Sequence, residues 1–447
     1  MTVDSDWRLL SDQPPPHALT KVSGDLLLNE LFPHVPHGIQ WGLGRMEAFL
    51  RDTGDPHLGI PCVHIGGTNG KGSVASTVAT VLDSAGHRAG LYTSPHLCSF
   101  RERFQIGGVP VGDGELRELA SELDQDIRRH SLTFFEAATA LAFHLFRKKG
   151  VEVSVVEVGL GGRLDATNVV APFLTAITNV DLDHCDYLGS TLNEIAMEKA
   201  GIIKSGVPLL TAEPDGRIRS VLSARCEALE APFTSVESDG EKTSIDVQED
   251  HTAFDVSTSM WGDLRLQTPL VGEHQAVNGA LAVALLERMP PRFLPDRDAV
   301  LDGVSRVHWP GRAQVEHLDG TTWVFDIAHN TAAATALASV LGRLELPRPI
   351  VVLTAVLGDK DWHEMLPPLF DKADHAVLTQ APSAPLARRW DPHEAAAKAG
   401  VGIVEIRTDF DDALDRAREL AGSGTIVVSG SAHTVGDVLR GRGLELS

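Results

Sequence analysis

The segment Gly66–Ser73 (GGTNGKGS) constrains the fold of this chain more than any other part of the sequence. A buried strand is predicted before it, at residues 61–65. An amphipathic helix is predicted after it, because apolar residues such as Val74 and Val78 recur on one face. Glycines in such a turn let backbone N–H groups surround phosphate oxygens, and the helix N-terminus adds a partial positive charge. The segment therefore predicts a P-loop, with Lys71 placed to reach the β- and γ-phosphates of a nucleotide.

The segment departs from the common GxxxxGK[ST] pattern at two positions. Ile65 stands where the pattern has its first glycine, and Gly72 intervenes between Lys71 and Ser73. The alternative interpretation is a glycine-rich turn that binds no ligand. The lysine and the two flanking elements favour the phosphate-binding interpretation.

The rest of the chain repeats an order of short apolar strand, turn and helix, which is typical of a parallel sheet covered on both faces. The proline-rich run Met289–Pro295 interrupts this order, and the alternation resumes between residues 321 and 428. We predict an α/β fold of two domains: a P-loop parallel-sheet ATPase domain at 1–295, with a small β appendage near 232–268, and a smaller Rossmann-like domain at 296–447.

The chain of 447 residues carries a formal net charge of −22, which argues against a sequence-independent nucleic-acid partner. It contains four cysteines without a CxxC pair, no signal peptide pattern and no apolar run long enough to cross a bilayer. We therefore expect a soluble cytoplasmic protein with no membrane partner. The charge also raises a question, because the predicted P-loop binds an anion.

Polar side chains follow several predicted strands of the first domain at the point where each strand ends. Ser94, Glu157 and His184 hold such positions, and Lys199 lies on the next predicted helix. Ligands of open parallel sheets bind at this edge, so these groups are expected to share a crevice with Lys71. A hydroxyl, a carboxylate and an imidazole beside a phosphate suit Mg²⁺. Taken singly, the glutamate could be a turn residue and the histidine a surface residue.

The second half has its own strand-end residues. Arg312 precedes a predicted strand, Asp326 follows one, and the run Ser429–His433 follows the last. Arg312 could pair with phosphate oxygens, and Asp326 could accept a ribose hydroxyl or fix the arginine. A purely structural salt bridge between these two residues is the alternative.

These motifs together resemble the folylpolyglutamate synthase/dihydrofolate synthase family, within the Mur ligase superfamily. The runs that carry the resemblance extend from about residue 37 to 440, although Thr331 stands where the family often has proline. They are GTNGKGS (67–73), YTSPHL (92–97), RERFQIG (101–107), FEAATALAF (135–143), EVGLGGRLDATN (157–168), LDHCDYLG (182–189), EKAGIIK (198–204), GEHQAVNGALA (272–282), PGR (310–312), DIAHN (326–330) and SGSAHTVGDV (429–438).

The resemblance implies roles for individual residues. ATP would contact Asn69, Gly70, Lys71, Gly72, Ser73, Asn278, Arg312 and Asp326. Ser94, Glu157, His184 and Lys199, the last as a carbamate, would bind the metal, and Lys71, Glu157, His184 and Lys199 would be the catalytic set. Substrate would contact Thr133, Phe134, Phe135, Glu136, Leu164, Asp165, Ala166, His329, Ser431 and His433. On local sequence alone, Lys199 could instead be a solvent-facing helix lysine paired with Glu194 or Glu198.

The activity implied is an ATP-dependent ligase that adds L-glutamate to a folate-type carboxylate through an acyl phosphate. The resemblance implies both dihydrofolate synthase and folylpolyglutamate synthase activity, with ATP, Mg²⁺ (two ions) and CO₂ as the lysine carbamate, in a monomer. Two alternatives remain open: a Mur-superfamily ligase for another acid, and a nucleotide-binding paralogue without catalysis. The short stretch before the P-loop does not suit the additional UDP-binding domain of cell-wall Mur ligases.

Overall fold

The computed structural model describes residues 40–236, 244–399 and 404–441, together with Leu27, Leu31, Phe32, Val35 and Gly38. Parts of the sequence predictions lie outside these residues, among them 237–243 of the β appendage, 400–403 of the alternating second half and both ends of the predicted domains. No helix within the described part of the chain combines the length and the apolarity that a membrane crossing needs.

The N-terminal unit is built on an eight-stranded sheet. Its strands are β1 (Cys62–Gly66), β2 (Ala89–Tyr92), β3 (Phe104–Ile106), β4 (Val109–Pro110), β5 (Val153–Glu157), β6 (Leu174–Ile177), β7 (Leu209–Thr211) and β8 (Phe233–Ser235). They lie in the order β4-β3-β2-β5-β1-β6-β7-β8, and all neighbours are parallel except the β2–β3 and β3–β4 pairs. The fully buried strands β5 and β1 lie side by side at the centre, as their apolar sequences predict.

Nine described helices surround this sheet. They are α1 (Gly44–Asp52), α2 (Lys71–Ser84), α3 (Asp113–Arg129), α4 (Phe134–Lys148), α5 (Cys185–Leu188), α6 (Leu192–Ala200), α7 (Gly216–Ala228), α8 (Glu273–Leu286) and α9 (Arg297–Ser305). The sequence Thr191-Leu-Asn-Glu194 is a typical capping box, and helix α6 begins with one: the side chains of Thr191 and Glu194 each bond a backbone amide of the other. Thr133 and Glu136 form the same motif at α4, so both helices begin where their sequences dictate.

A small antiparallel sheet follows β8, formed by β9 (Ile245–Val247), β10 (Thr252–Thr258) and β11 (Gly262–Thr268). It accounts for the later part of the predicted β appendage, whereas β8 belongs to the large sheet. Phe254, Leu264 and Leu266 are buried in one apolar core with residues of α2 and α8. The small sheet is therefore packed into the N-terminal unit.

The C-terminal unit contains a second sheet, of six strands. They are β12 (Gln314–Leu318), β13 (Thr321–Phe325), β14 (Ile350–Thr354), β15 (His375–Leu378), β16 (Val404–Ile406) and β17 (Thr425–Ser429). The order is β12-β13-β17-β14-β15-β16, and all pairs except β12–β13 are parallel. Helices α10 (Thr331–Arg343), α11 (Trp362–Phe370), α12 (Pro392–Ala399), α13 (Phe410–Ala421) and α14 (Ala432–Gly441) cover this sheet. Separate apolar cores on its two faces confirm the predicted α/β class.

The position of helix α9 disagrees with the predicted domain boundary at residue 295. It packs against α2, and its Val300 and Val304 are fully buried in the core of the N-terminal unit. The prolines at 290–295 thus end one helix without ending the unit, because the next helix packs back against α2 of the same unit. We therefore propose that the boundary lies in the segment 306–313, just before β12.

Candidate active site

The glycine-rich segment forms a tight loop between β1 and α2, held against the end of β6. Gly67 has φ +139, and a Cβ atom at this position would lie 1.8 Å from Thr178 Oγ1. Thr178 Oγ1 donates to Asn69 O at 2.6 Å, and Thr68 N donates to Asn179 O at 2.8 Å. Glycine is therefore required at 67 by both backbone conformation and space.

We expect Gly67→Ala to weaken nucleotide binding at least tenfold, because a left-handed alanine costs about 1–3 kcal/mol and its methyl group would displace Thr178. Isothermal titration with ADP and Mg²⁺ measures this. Gly86→Ala is the matched control, since Gly86 has φ +86 but no atom within 4 Å of the added Cβ. Equal affinity in Gly67→Ala and wild type would contradict this account of the loop.

Two side chains of the loop, the partly buried Lys71 and the buried Ser73, make few hydrogen bonds within the protein. Lys71 Nζ donates to Thr68 O at 2.9 Å, and burial lowers the pKa of its ammonium while the nearby Glu157 carboxylate acts in the opposite direction. Ser73 is fully buried, and its Oγ has no hydrogen-bond partner among the described residues. An ammonium and an unpartnered hydroxyl at a helix N-terminus fit a phosphate with its metal ion.

The loop opens into a cavity of about 170 Å³ between the two units, called the loop cavity below. Every residue that the sequence assigned to ATP or to metal lines it. These are Asn69, Gly70, Lys71, Gly72, Ser73, Ser94, Glu157, His184, Lys199, Asn278, Arg312 and Asp326. His274 and Gln275 of α8 and Ala333, Ala336 and Leu337 of α10 extend the wall beyond the loop.

The loop cavity offers oxygen and imidazole ligands suited to a divalent ion. Glu157 ends the central strand β5, and its Oε2 accepts from Ser94 N at 2.9 Å, while burial raises the pKa of the carboxyl. Burial also lowers the pKa of His184 to about 3, so its imidazole is a neutral potential ligand. No group of three or more His, Cys, Asp or Glu within the described ranges could hold a metal. One carboxylate, one imidazole and serine hydroxyls fit Mg²⁺, which keeps several waters.

Lys199 lies under the P-loop, not on the solvent face of α6. Its side chain is buried, and its Nζ donates to Gly67 O at 2.8 Å. Burial, and then the charge of Lys71, lower the pKa of its ammonium to about 7. Glu198 pairs with Arg163 at 2.8 Å and Glu194 caps its own helix. The alternative of a solvent-facing Lys199 paired with either glutamate is therefore wrong.

Asp326 holds the segment that carries Arg312 into the cavity. One carboxylate oxygen accepts from Ala313 N at 2.8 Å and the other from Ala328 N at 2.7 Å. No ion pair joins Asp326 and Arg312 within 4 Å in the described structure, although the positive charge lowers the pKa that burial of Asp326 raises. The arginine thus remains available to an anion in the cavity.

A second cavity, of about 520 Å³, adjoins the first and is called the broad cavity below. All residues that the sequence assigned to substrate line it. These are Thr133, Phe134, Phe135, Glu136, Leu164, Asp165, Ala166, His329, Ser431 and His433. The two cavities share Ser94, His184 and His329, so a molecule in the broad cavity can reach the nucleotide side there.

The comparisons with known proteins agree with this arrangement. Residues 65–286 match the family model of the Mur ligase middle domain, and residues 311–432 match that of the Mur ligase glutamate ligase domain. The dihydrofolate synthase/folylpolyglutamate synthase of Bacillus subtilis is 32% identical over 418 residues, which cover 90% of this chain and 95% of that protein. The chain belongs to this family.

Solved structures of the family have the same fold. The Mycobacterium tuberculosis folylpolyglutamate synthase complexed with ADP has a TM-score of 0.83 and 32% identity, covering 94% of this chain and 96% of its own. Escherichia coli FolC in complex with DHPP and ADP has a TM-score of 0.81 and 28% identity, covering 96% of this chain and all of its own. The two-sheet architecture is thus that of the folylpolyglutamate synthases.

Two carboxylates of the broad cavity are already engaged within the protein. Glu136 accepts from Thr133 and pairs with Arg45 at 3.0 Å. Asp165 accepts from Leu160 N at 2.8 Å and from Thr167. In this member of the family these groups hold α4 and the loop after β5 in place, and they present fixed acceptors to the cavity.

Sequence reasoning missed several residues of the site. Arg103 is a buried guanidinium in the wall of the broad cavity, where its Nε donates to His96 Nδ1 at 2.9 Å. Asp183 and Lys360 form an ion pair between the two units. Lys360 follows β14, and Asp183 adjoins the singled-out His184, so the strand-end rule could have found both.

Proposed function

We propose that the protein is an ATP-dependent ligase that joins L-glutamate to the carboxylate of a folate-type acid. The observation that carries this is the meeting of two cavities: a P-loop cavity for ATP and a larger, mainly apolar cavity for the acid. The relatives from B. subtilis, M. tuberculosis and E. coli carry both activity names. We extend the proposal to both activities: glutamate addition to dihydropteroate and polyglutamylation of tetrahydrofolate.

The first chemical step makes the acid reactive. A carboxylate is a poor electrophile, and transfer of the γ-phosphoryl group to it gives an acyl phosphate with a good leaving group. Two like unit charges about 4 Å apart repel by roughly 4 kcal/mol at an effective dielectric near 20, so ATP and a carboxylate need cations to approach. Lys71 and Arg312 lie on opposite units and supply two of these charges from both sides.

Ser94, Glu157 and His184 would hold Mg²⁺, with the unpartnered Ser73 hydroxyl beside them. The ion, when bound, supplies further positive charge to the phosphate oxygens. Glu157 remains in place for this role because Ser94 N fixes one of its oxygens. Burial raises its pKa, and a neighbouring cation reverses that effect by favouring the ionised form.

The second step is attack of the glutamate amine on the acyl phosphate, followed by loss of phosphate from the tetrahedral intermediate. Water would destroy the acyl phosphate, and Phe134 and Phe135 place aromatic rather than polar surface in the wall of the broad cavity. We assign His329, Ser431 and His433 to glutamate, because they line the broad cavity from the C-terminal unit.

We further propose that Lys199 is a carbamate in the active enzyme. Only a neutral amine reacts with CO₂, and the pKa of about 7 gives Lys199 a large neutral fraction at physiological pH. The carbamate would replace a cation beside Lys71 by an anion, and Lys199 could then hold a second Mg²⁺. That change would also remove the repulsion between Lys199 and Lys71.

Phosphate release in two parallel reactions tests the substrate assignment. We expect ATP-dependent release with dihydropteroate plus glutamate, and also with tetrahydrofolate plus glutamate. Each reaction without glutamate is the control. Turnover with only one acid would limit the protein to one activity, and turnover with neither would contradict the folate assignment and favour a Mur-type ligase for another acid.

A further inference from the structure

Asp183 ties the C-terminal unit to the active site. It lies in the loop after β6, and its side chain is only 7% exposed. Its Oδ1 lies 2.5 Å from Lys360 Nζ, and its Oδ2 accepts from Asn330 Nδ2 at 3.1 Å and lies 3.4 Å from His329 Nε2. All three partners belong to the C-terminal unit and come from two loops, after β13 and after β14. One carboxylate therefore contacts both loops.

The same carboxylate sets the position of His184. Its Oδ1 accepts from His184 N at 2.8 Å, and His184 has a left-handed backbone with φ +53, which is costly for a residue other than glycine. Lys360 Nζ also lies 3.4 Å from His184 Nε2. The imidazole that faces both cavities is thus held by Asp183 from its own unit and by Lys360 from the other.

The ion pair between Asp183 and Lys360 is buried, and a second contact between the units lies beside it. The side chain of Lys360 is 6% exposed, and a buried charge that loses its partner is strongly destabilising, so the pair resists separation. Beside it, the Asn330 amide donates to Asn69 Oδ1 at 2.9 Å, which links the P-loop to the same loop of the C-terminal unit. The units are therefore closed over the cavities by contacts that centre on Asp183.

We propose that Asp183 is a positioning residue. Through Lys360 it holds the C-terminal unit over the two cavities, and it thereby fixes the position of the His184 imidazole. It acts through these side chains and not on the substrate. Its effect on catalysis rests on the proposed ligase function, whereas its effect on the arrangement of the units does not. The two parts therefore have separate tests.

The kinetic test compares Asp183→Asn, Lys360→Met and the double variant in the dihydropteroate reaction. Asp183→Asn is expected to lower kcat about a hundredfold, because it breaks a buried ion pair, and to change the KM for ATP less than threefold. If the two residues act as one unit, the double variant is no slower than the slower single variant. Effects that multiply, or a loss confined to the KM for ATP, would overturn the proposal.

Small-angle X-ray scattering tests the arrangement of the units without turnover, both in ligand-free protein and with ADP and Mg²⁺. Asp183→Asn is expected to have a larger radius of gyration than wild type in both conditions. Asp359→Asn is the control, because Asp359 pairs with Arg388 inside the C-terminal unit and should leave the radius unchanged. An unchanged radius in Asp183→Asn overturns the proposal.

Lys360→Met decides the scattering test if Asp183→Asn does not fold, with the same expected result and the same contradicting result. Wild-type protein that ligates no folate would refute the proposed function. The scattering comparison would still test whether Asp183 holds the two units together.

Discussion

Lys71→Ala is expected to lower the kcat for ligation by about 10³-fold, with the fold intact. The lysine is the cation of the P-loop, and no other described Lys or Arg of the N-terminal unit except Lys199 lines the loop cavity. Burial lowers the pKa of the Lys71 ammonium, so a charge at this position destabilises the fold. The Ala variant lacks that charge and should unfold at no lower a temperature than wild type. Initial rates of phosphate release and a thermal unfolding curve measure both effects.

The control for Lys71→Ala is Lys148→Ala, which removes an exposed lysine paired with Glu118 and Glu122 at the end of α4. This variant should ligate at the wild-type rate. Turnover of Lys71→Ala within a few fold of wild type would refute the assignment of the loop to ATP. A fall in rate together with a large fall in unfolding temperature would show that Lys71 acts on the fold.

Lys199→Ala is expected to be nearly inactive and to recover part of its rate in acetate or propionate. A short carboxylate can enter the space left by the side chain and stand in for the carbamate. In wild type, dependence on bicarbonate should be strongest above pH 7, since the neutral amine required for carbamylation is lost as pH falls through the pKa of about 7. Rates in CO₂-depleted buffer, with and without bicarbonate, measure this.

Lys204→Ala provides the matched control for the rescue. Lys204 follows α6, and its Nζ donates to Asn168 O at 2.8 Å, away from the loop cavity. Acetate should not change its activity. Full activity of Lys199→Ala in the absence of any added carboxylate would eliminate both the carbamate and a catalytic role for this lysine.

Much of the fold follows from local sequence. The P-loop lies between a buried strand and a helix because the apolar pattern changes period there, and the Thr191–Glu194 pair marks the start of α6. The central place of β5 follows from its lack of a polar face. Lys71, Ser94, Glu157 and His184 meet because the carboxyl ends of parallel strands share one edge of the sheet.

Other features depend on contacts between distant segments, which local sequence does not encode. The prolines before α9 predict a domain boundary, but Val300 and Val304 pack against α2. The sequence around Lys199 suggests a solvent-facing helix, and only the fold places its amine under Gly67. The substrate residues around Phe134 and Asp165 come from the family resemblance, not from the strand-end rule.

The net charge of −22 and an anion site coexist because the site is local. Lys71 and Arg312 line the loop cavity together with the backbone amides of the P-loop and the N-terminus of α2. Overall charge governs solubility and long-range encounter, whereas these nearby dipoles and cations govern binding in the cavity. The acidic residues include Glu157, which would hold the metal.

The fate of ¹⁸O from a labelled dihydropteroate carboxylate tests the account most directly. In a reaction with ATP and glutamate, mass spectrometry is expected to find one ¹⁸O atom in each phosphate released and the other in the new amide of the product. That result requires an acyl phosphate on the folate-type acid. Phosphate without ¹⁸O, or label recovered in AMP, would contradict the mechanism.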